Sequence, residues 1–326
     1  MSESTVTPKA HKQLQERDQA AGANYIFVTG APRTGTTLVQ NMLDSHPDVL
    51  GLPEFKHLPD IIRLRNALQA SIREGMIDKV CSPQQVDERI RALIEDFFKS
   101  VGDRYPCRWI SEKTPQNTLF LEELIELFPA AKFIYVVRDP RAVVASLLKV
   151  EQKASAQGRS VGLSVRNAIQ STKKYFQRGF NAQAKWPDKI HVAVYRDLVT
   201  YPERETKKIC GFLGIEWVQS MLYPGQGDHL SESGMTCRAN SIWYDRKMFR
   251  RDPQPGEIEK WKARLTPTQQ VRITRAFRHD KRLQDLGYRI DLSHLSRSQR
   301  LQGFIAASLI EGMHQVRNQL FKLLSS

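Results

Sequence analysis

The chain lacks any long apolar run. No stretch reaches the ~18 apolar residues of a membrane-spanning helix, and the opening MSESTVTPKAHKQLQERDQAAGAN is polar, without the apolar centre of a secretory signal. Cysteine is scarce. The four residues Cys81, Cys107, Cys210 and Cys237 stand far apart with no C-x-x-C pair, which excludes zinc-ligand spacing and a dense disulfide framework and leaves reduced, mostly buried thiols. Internal repeats and low-complexity tracts are absent. Acidic side chains are in deficit, 35 against 49 Lys and Arg, for a net charge of +14. Such a field attracts polyanions: nucleic acid, anionic lipid or a multiply phosphorylated small molecule. The charge is spread along the chain rather than gathered in a tail, which argues against a nucleic-acid-binding arm. These absences together lead us to expect a soluble, cytoplasmic protein with no transmembrane segment.

The 326 residues suffice for one large domain with insertions. Residues 1–23 read as a flexible leader. The short apolar strand YIFV then runs into a glycine loop, and Leu38, Val39, Met42 and Leu43 follow at helical spacing. DVLGL is a second strand. Ser82, Pro83 and Gln85 form a capping box for a helix whose face is Val86, Ile90, Leu93, Ile94 and Phe97. RWISEKTP ends a strand at Lys113, with Thr114 capping the next helix. KFIYVVRD is a buried strand followed by the cap Asp139 and the first-turn Pro140. KIHVAVYRDL adds a strand, followed by a helix around Glu203–Phe212, and TPTQ at 266–269 caps another helix.

Strands alternating with helices predict an α/β fold: a P-loop-like parallel sheet with helices on both faces. In such sheets ligands gather outside the carboxyl ends of the strands. The glycine loop, Glu54, Lys113 and Arg138 all follow strands there. Residues 225–262 are irregular and rich in basic and aromatic side chains, and read as a lid loop. The apolar positions 301, 305, 309, 313, 316, 320 and 323 predict a C-terminal amphipathic helix, within which Gly303 and Gly312 are helix-weakening. The expected division is therefore a leader at 1–23, a main domain at 24–292 and a C-terminal helix segment at 293–326.

The loop GAPRTGTT departs from the phosphate-binding pattern G-x-x-x-x-G-K-[ST] at one place. Gly30, Gly35 and Thr37 fit, but Thr36 stands where a lysine reaches terminal phosphates, and a cation appears instead at Arg33. Thr34, Gly35, Thr36 and Thr37 still offer backbone N–H groups and hydroxyls at a helix N-terminus. The pattern suits a phosphate-bearing anion that needs no metal bridge to a third phosphate.

GAPRTGTTLVQNMLDSHPDV resembles the 5′-phosphosulfate loop of sulfotransferases that use 3′-phosphoadenosine 5′-phosphosulfate (PAPS), and FIYVVRDPRAVVASLL resembles their 3′-phosphate signature. The likeness extends through SEKTP, VYRDL and the lid to Lys260–Trp261, roughly residues 24–290, and is nearest to tyrosylprotein sulfotransferases and their bacterial relatives. It implies a PAPS-dependent enzyme without a metal. By the same resemblance Arg33, Thr34, Gly35, Thr36 and Thr37 hold the 5′-phosphate, Arg138 and Ser146 the 3′-phosphate, and Tyr195 touches the adenosine. Ser241 and Lys260 help to close over the nucleotide. Lys113 matches the lysine that reaches the bridging oxygen.

Attack by an acceptor hydroxyl releases a proton, so a base is required. Glu54 occupies the position of the base in the tyrosylprotein subgroup, with His57 as the rival. That subgroup has a second glutamate before the base and an arginine two residues after it, where this chain has Pro53 and Lys56. The acceptor expected on these grounds is a small molecule such as a secondary metabolite, bound by the insertions 57–107 and 150–187; protein tyrosine or a carbohydrate is the alternative. A soluble chain without secretory features would not meet Golgi proteins. Arg141 either faces solvent or joins the phosphate cluster, Tyr195 is equally readable as a core residue, and His46 reads as a helix-end cap. Arg246, Lys247, Arg250 and Arg251 read equally as a solvated face. A magnesium-dependent nucleotide kinase or hydrolase and a nucleic-acid binder are the competing functions. The C-terminal helix is expected to pack either on a second subunit, giving a homodimer, or on the main domain.

Overall fold

The computed structural model describes residues 24–325 apart from 106 and 238–240, so the leader expected at 1–23 lies outside the described residues. Strand β1 (Asn24–Gly30) runs through the loop into helix α1 (Thr36–Asp44), then β2 (Val49–Gly51), α2 (Leu58–Arg73) and α3 (Pro83–Gly102). Next come β3 (Trp109–Glu112), a 3-10 segment (Pro115–Phe120), α4 (Leu121–Leu127), β4 (Lys132–Val137) and the long pair α5 (Pro140–Ser155) and α6 (Val165–Lys185). Strand β5 (Ile190–Val194) passes directly into α7 (Tyr195–Thr200), followed by α8 (Pro202–Leu213). The remaining helices are α9 (Leu230–Met235), α10 (Trp261–Arg264), α11 (Pro267–Phe277), α12 (Lys281–Asp285) and α13 (Arg297–Ser325).

The strands form one five-stranded parallel sheet in the order β2-β3-β1-β4-β5. Alternation along β1 and β4 sends Phe27, Phe133 and Tyr135 to one apolar layer, with Ile90, Ile94 and Phe176 of the helices. Ile26, Val28, Ile134 and Val136 go to the other, with Val39 and Met42 of α1 and Ile209 of α8. Both faces are thus covered, which is why β4 reads as an unbroken apolar run. Because β1 has β3 on one side and β4 on the other, its carboxyl end is the switch point where ligands collect in open α/β sheets.

Both capping boxes form: Ser82 with Gln85, and Thr266 with Gln269. Asp139 accepts from the Arg141 backbone N–H. Thr114 differs from expectation, because its hydroxyl donates to Glu112 at 2.5 Å rather than capping the 3-10 segment. The buried face of α3 is Val86, Ile90, Ile94 and Phe98, while Leu93 and Phe97 are exposed. Phe98 wins over Phe97 because it meets the Tyr25 ring of β1 edge-on at 5.6 Å.

Helix α13 is continuous through both glycines. Gly303 is a contact rather than a weak point: a β-carbon there would stand 2.9 Å from Val271 Cγ2 and 3.0 Å from the Pro267 carbonyl of α11. The docked face is therefore small, with Gly303 and Ala307 buried, and the row Leu301, Ile305, Leu309 and Met313 faces outward. A homodimer through this helix would have to use that outward row. Positions 316, 320 and 323 lie outside the described side chains.

Candidate active site

The loop after β1 is shaped by two left-handed residues, Arg33 (φ 74) and Gly35 (φ 109). Arg33 is the non-glycine residue with positive φ among those described, a strained geometry typical of ligand-binding loops. The loop is tied from outside by Thr118, whose hydroxyl receives the Gly30 N–H at 2.7 Å and donates to the Gly30 carbonyl at 3.0 Å. Thr34 closes the turn onto the Ala31 carbonyl at 2.7 Å. Gly35, Thr36 and Thr37 then line a cleft of about 350 Å³ at the head of α1.

Seen from its charges, that cleft is made for an anion. Arg33, Arg138, Lys149, Lys153, Arg251, Lys260 and Arg264 line it, against Asp245, Asp252 and Glu257. The Arg33 guanidinium donates from Nε to Ser146 Oγ at 2.9 Å and from Nη1 to the Trp243 carbonyl at 2.8 Å. Burial pulls its pKa down, so it is a poorly solvated cation with an anion's place beside it. Arg138 lies 4.1 Å over the Tyr195 ring and makes only long bonds, 3.4 Å to the Arg33 carbonyl and 3.3 Å to the Glu257 carbonyl. Its Nε is buried without a partner among the described residues. A buried, unmatched guanidinium N–H is costly unless a ligand satisfies it, and a phosphate would.

Ser146 and Tyr195 thus join the cleft, Ser146 through Arg33 and Tyr195 beneath Arg138. Lys260 lines the outer part, ion-paired with Glu257. Burial pushes the Glu257 carboxyl up, but the Lys260 bond together with the charges of Lys260, Arg264 and Arg251 outweighs it and holds the group below its ordinary range. Ser241 immediately precedes Ile242, Trp243 and Tyr244, which line the cleft.

Glu54 and Lys113 lie behind that wall. Lys113 Nζ donates to Glu54 Oε1 at 2.7 Å, with side chains only 2% and 4% exposed respectively. Tyr244 Oη donates to the same oxygen at 2.5 Å, and its ring faces Lys113 Nζ at 5.0 Å. Burial lowers the Lys113 pKa while Glu54 opposes the fall, and burial with the Glu54 charge raises the Tyr244 phenol well above its ordinary value. One carboxylate thus collects a buried ammonium and a buried phenol beside a cationic cleft. Lys56 reaches Glu54 Oε2 only at 4.0 Å, from the surface.

His57 does not enter this group. Its side chain is 80% exposed and its ring nitrogen faces Asp60 at 3.5 Å. Arg141 neither faces solvent nor joins the phosphate cluster. It is buried, bonded through Nη2 to Asp139 at 2.7 Å and to the Arg289 carbonyl at 2.7 Å, and stacked 4.1 Å over Trp261. His46 ties the end of α1 to the Glu216 carbonyl at 2.6 Å.

The cleft cations Lys149, Lys153 and Arg264 escaped the sequence reading, and so did Tyr244 and Glu112. Tyr244 carries no motif and sits in an irregular segment. Glu112 is fully buried, and burial pushes its carboxyl up to about 7 despite bonds from Thr114 and the Phe55 N–H. The bond to Phe55, at 3.1 Å, fixes the backbone next to Glu54. A carboxylate closing the apolar strand RWISE was the signal available.

Residues 25–219 match the sequence profile of the sulfotransferase family. The chain belongs to that family. Among curated proteins it is 31% identical over 200 residues to protein-tyrosine sulfotransferase 1 of Danio rerio, covering 61% of this chain and 55% of that protein. It is 32% identical over 201 residues to protein-tyrosine sulfotransferase 2 of Gallus gallus, covering 61% and 53%. The chain therefore spans about half the length of the curated relatives it matches. Among solved structures, the sulfotransferase domain from the curacin biosynthetic pathway superposes with a TM-score of 0.57 at 24% identity, covering 82% of this chain and 99% of that one. That likeness shows the fold. Family membership displaces the magnesium nucleotide hydrolase and the nucleic-acid binder.

One expectation is overturned. The cytoplasmic placement rested on the lack of an apolar signal and of a membrane-spanning run, and it is set aside because the relatives this chain matches are named protein-tyrosine sulfotransferases. Among the described residues no helix is long and apolar enough to cross a membrane.

Proposed function

We propose that this sulfotransferase moves the sulfuryl group of PAPS onto the phenolic hydroxyl of a tyrosine. The observation that carries the reading is the buried Glu54–Lys113 pair directly behind a cleft lined with cations. Sulfuryl transfer, like phosphoryl transfer, depends on positioning and charge neutralisation, with the attacking and leaving oxygens in line. Arg33 and the amides of Thr34, Gly35, Thr36 and Thr37 hold the 5′-phosphate. Arg138 and Ser146 take the 3′-phosphate, Tyr195 sits at the adenosine, and Ser241 and Lys260 close the outer side.

Glu54 takes the acceptor proton, and Lys113 neutralises the oxygen on which the nucleotide leaves. The names of the relatives favour tyrosine over the small-molecule acceptor expected from the sequence. Pro53 and Lys56, next to the base, mark where acceptor recognition departs from those relatives. The test is incubation with sulfur-labelled PAPS and a tyrosine peptide, its phenylalanine counterpart and a small free phenol. Label on the tyrosine peptide alone supports the reading; label on the small phenol alone restores a small-molecule acceptor.

A further inference from the structure

We propose that Tyr244 is itself a sulfuryl acceptor of this active site, so that the chain sulfates its own lid segment when PAPS is bound. The inference rests on the PAPS-dependent reading above and adds a modification site to it. An acceptor must present a hydroxyl to the base, lie beside the neutralising cation and border the donor. Tyr244 meets all three conditions. Its Oη donates to Glu54 Oε1 at 2.5 Å, its ring stands 5.0 Å from Lys113 Nζ, and it lines the cleft together with Gly35, Thr36 and Thr37.

The neighbouring backbone is held as well, because the Trp243 carbonyl accepts from Arg33 Nη1 at 2.8 Å. An intermolecular acceptor has to displace Tyr244 from Glu54, whereas Tyr244 needs no encounter at all. Tethering of this kind is worth effective concentrations of about 10⁵–10⁸ M when the geometry is close to reactive.

In the step itself the phenolic oxygen bonds to the donor sulfur as the bond from sulfur to the 5′-phosphate oxygen breaks. The electron pair of the broken bond leaves on adenosine 3′,5′-bisphosphate, and the phenolic proton passes to Glu54 Oε1. No oxidant, reductant or water is consumed. Burial holds the phenol protonated at rest, so transfer of that proton belongs to the reaction rather than preceding it. Once Glu54 releases that proton, its carboxylate and the new sulfate ester are two anionic groups in one buried place, which should drive the lid segment out of the site.

The experiment incubates the full chain with sulfur-labelled PAPS and no other acceptor, then maps the label by peptide mass spectrometry. The expected result is a single sulfate on the peptide containing Tyr244, formed at a rate per chain that does not change on dilution. Tyr244→Phe should remove the label while still binding adenosine 3′,5′-bisphosphate, and Glu54→Gln should slow labelling by about 10²–10⁴-fold. Label elsewhere, label that survives Tyr244→Phe, or a rate per chain that rises with protein concentration overturns the proposal. A chain that sulfates a tyrosine peptide yet never labels Tyr244 overturns this inference alone. A chain that neither binds the bisphosphate nor sulfates any acceptor overturns the PAPS reading with it.

Discussion

The Tyr195 ring lies so close over Gly35 that a β-carbon on the glycine would meet ring atom Cδ2 at 2.4 Å. Gly35 also has φ 109, a region disfavoured for side chains. The end of β5 and the head of α1 are thus pressed together, and the nucleotide cleft depends on that approach. Gly35→Ala should store about 1–3 kcal/mol of strain or push Tyr195 away. Calorimetric titration of adenosine 3′,5′-bisphosphate should show a clear loss of affinity, with the melting temperature also lowered.

Arg138 should carry the recognition of the 3′-phosphate. Its guanidinium is spread over Tyr195, its bonds to carbonyls are long and its Nε has no partner among the described residues. Losing one charged contact of this kind costs ~1.5–3 kcal/mol, roughly a ten- to hundredfold change in affinity. Arg138→Ala should weaken adenosine 3′,5′-bisphosphate by that factor and hardly affect adenosine 5′-phosphosulfate, which lacks the 3′ group. Equal weakening of both ligands would move the 3′ site elsewhere.

Arg141, three residues away, should behave in the opposite manner. Its bonds go to Asp139 and to the carbonyls of Arg289 and Asp291, all within the protein. Breaking a buried ion pair from one side typically costs about 3–5 kcal/mol. Arg141→Ala should show that loss in urea unfolding, while the folded fraction keeps its nucleotide affinity.

Glu112 gives the fold a pH dependence of definite sign. Its carboxyl is raised from 4.5 to about 7 by burial, so folding favours the protonated acid. The stability it contributes is complete below about pH 4.5 and is lost as pH rises through 7. Asn117 Nδ2 donates to Glu112 Oε2 at 2.6 Å while its Oδ1 is buried without a partner among the described residues, so Glu112→Gln should be tolerated if the Asn117 amide flips and accepts from the new amide through Oδ1. Melting curves across that interval should fall more steeply with pH for the parent chain than for Glu112→Gln.

For the base, exposure separates the candidates. Glu54→Gln keeps the shape of the side chain and removes the proton acceptor, so turnover at saturating PAPS should fall by about 10²–10⁴-fold. His57→Ala alters an exposed ring that faces Asp60 and meets the Phe55 ring edge-on at 6.5 Å, away from the Glu54 carboxylate, and should leave turnover unchanged. A dead His57→Ala beside an active Glu54→Gln would reverse the assignment.

What was legible in the sequence was what local chemistry decides. FIYVV could only be a strand covered on both faces, and Ser82, Asp139 and Thr266 announce their helices by short-range bonds. The loop made Arg33 and Arg138 readable as anion ligands, since each follows a strand at the same sheet edge. Errors arose where a distant partner decides. Helical period alone does not separate Phe97 from Phe98; the Tyr25 ring does. The large residues of α13 resembled a buried face, yet close approach to Val271 selects the small face at Gly303 and Ala307. Tyr244 was hidden for the same reason. Its bond to Glu54 spans 190 residues, from a segment with no period to read.

One titration tests the metal-free nucleotide cleft most directly: adenosine 3′,5′-bisphosphate against the intact chain in the presence of a metal chelator, with ATP and magnesium titrated in parallel. Arginine and lysine supply the neutralising charge in this cleft, so the bisphosphate should bind tightly and equally well with or without the chelator, and ATP with magnesium should bind far more weakly. Binding of the bisphosphate that disappears with the chelator, or tighter binding of ATP with magnesium, would contradict it.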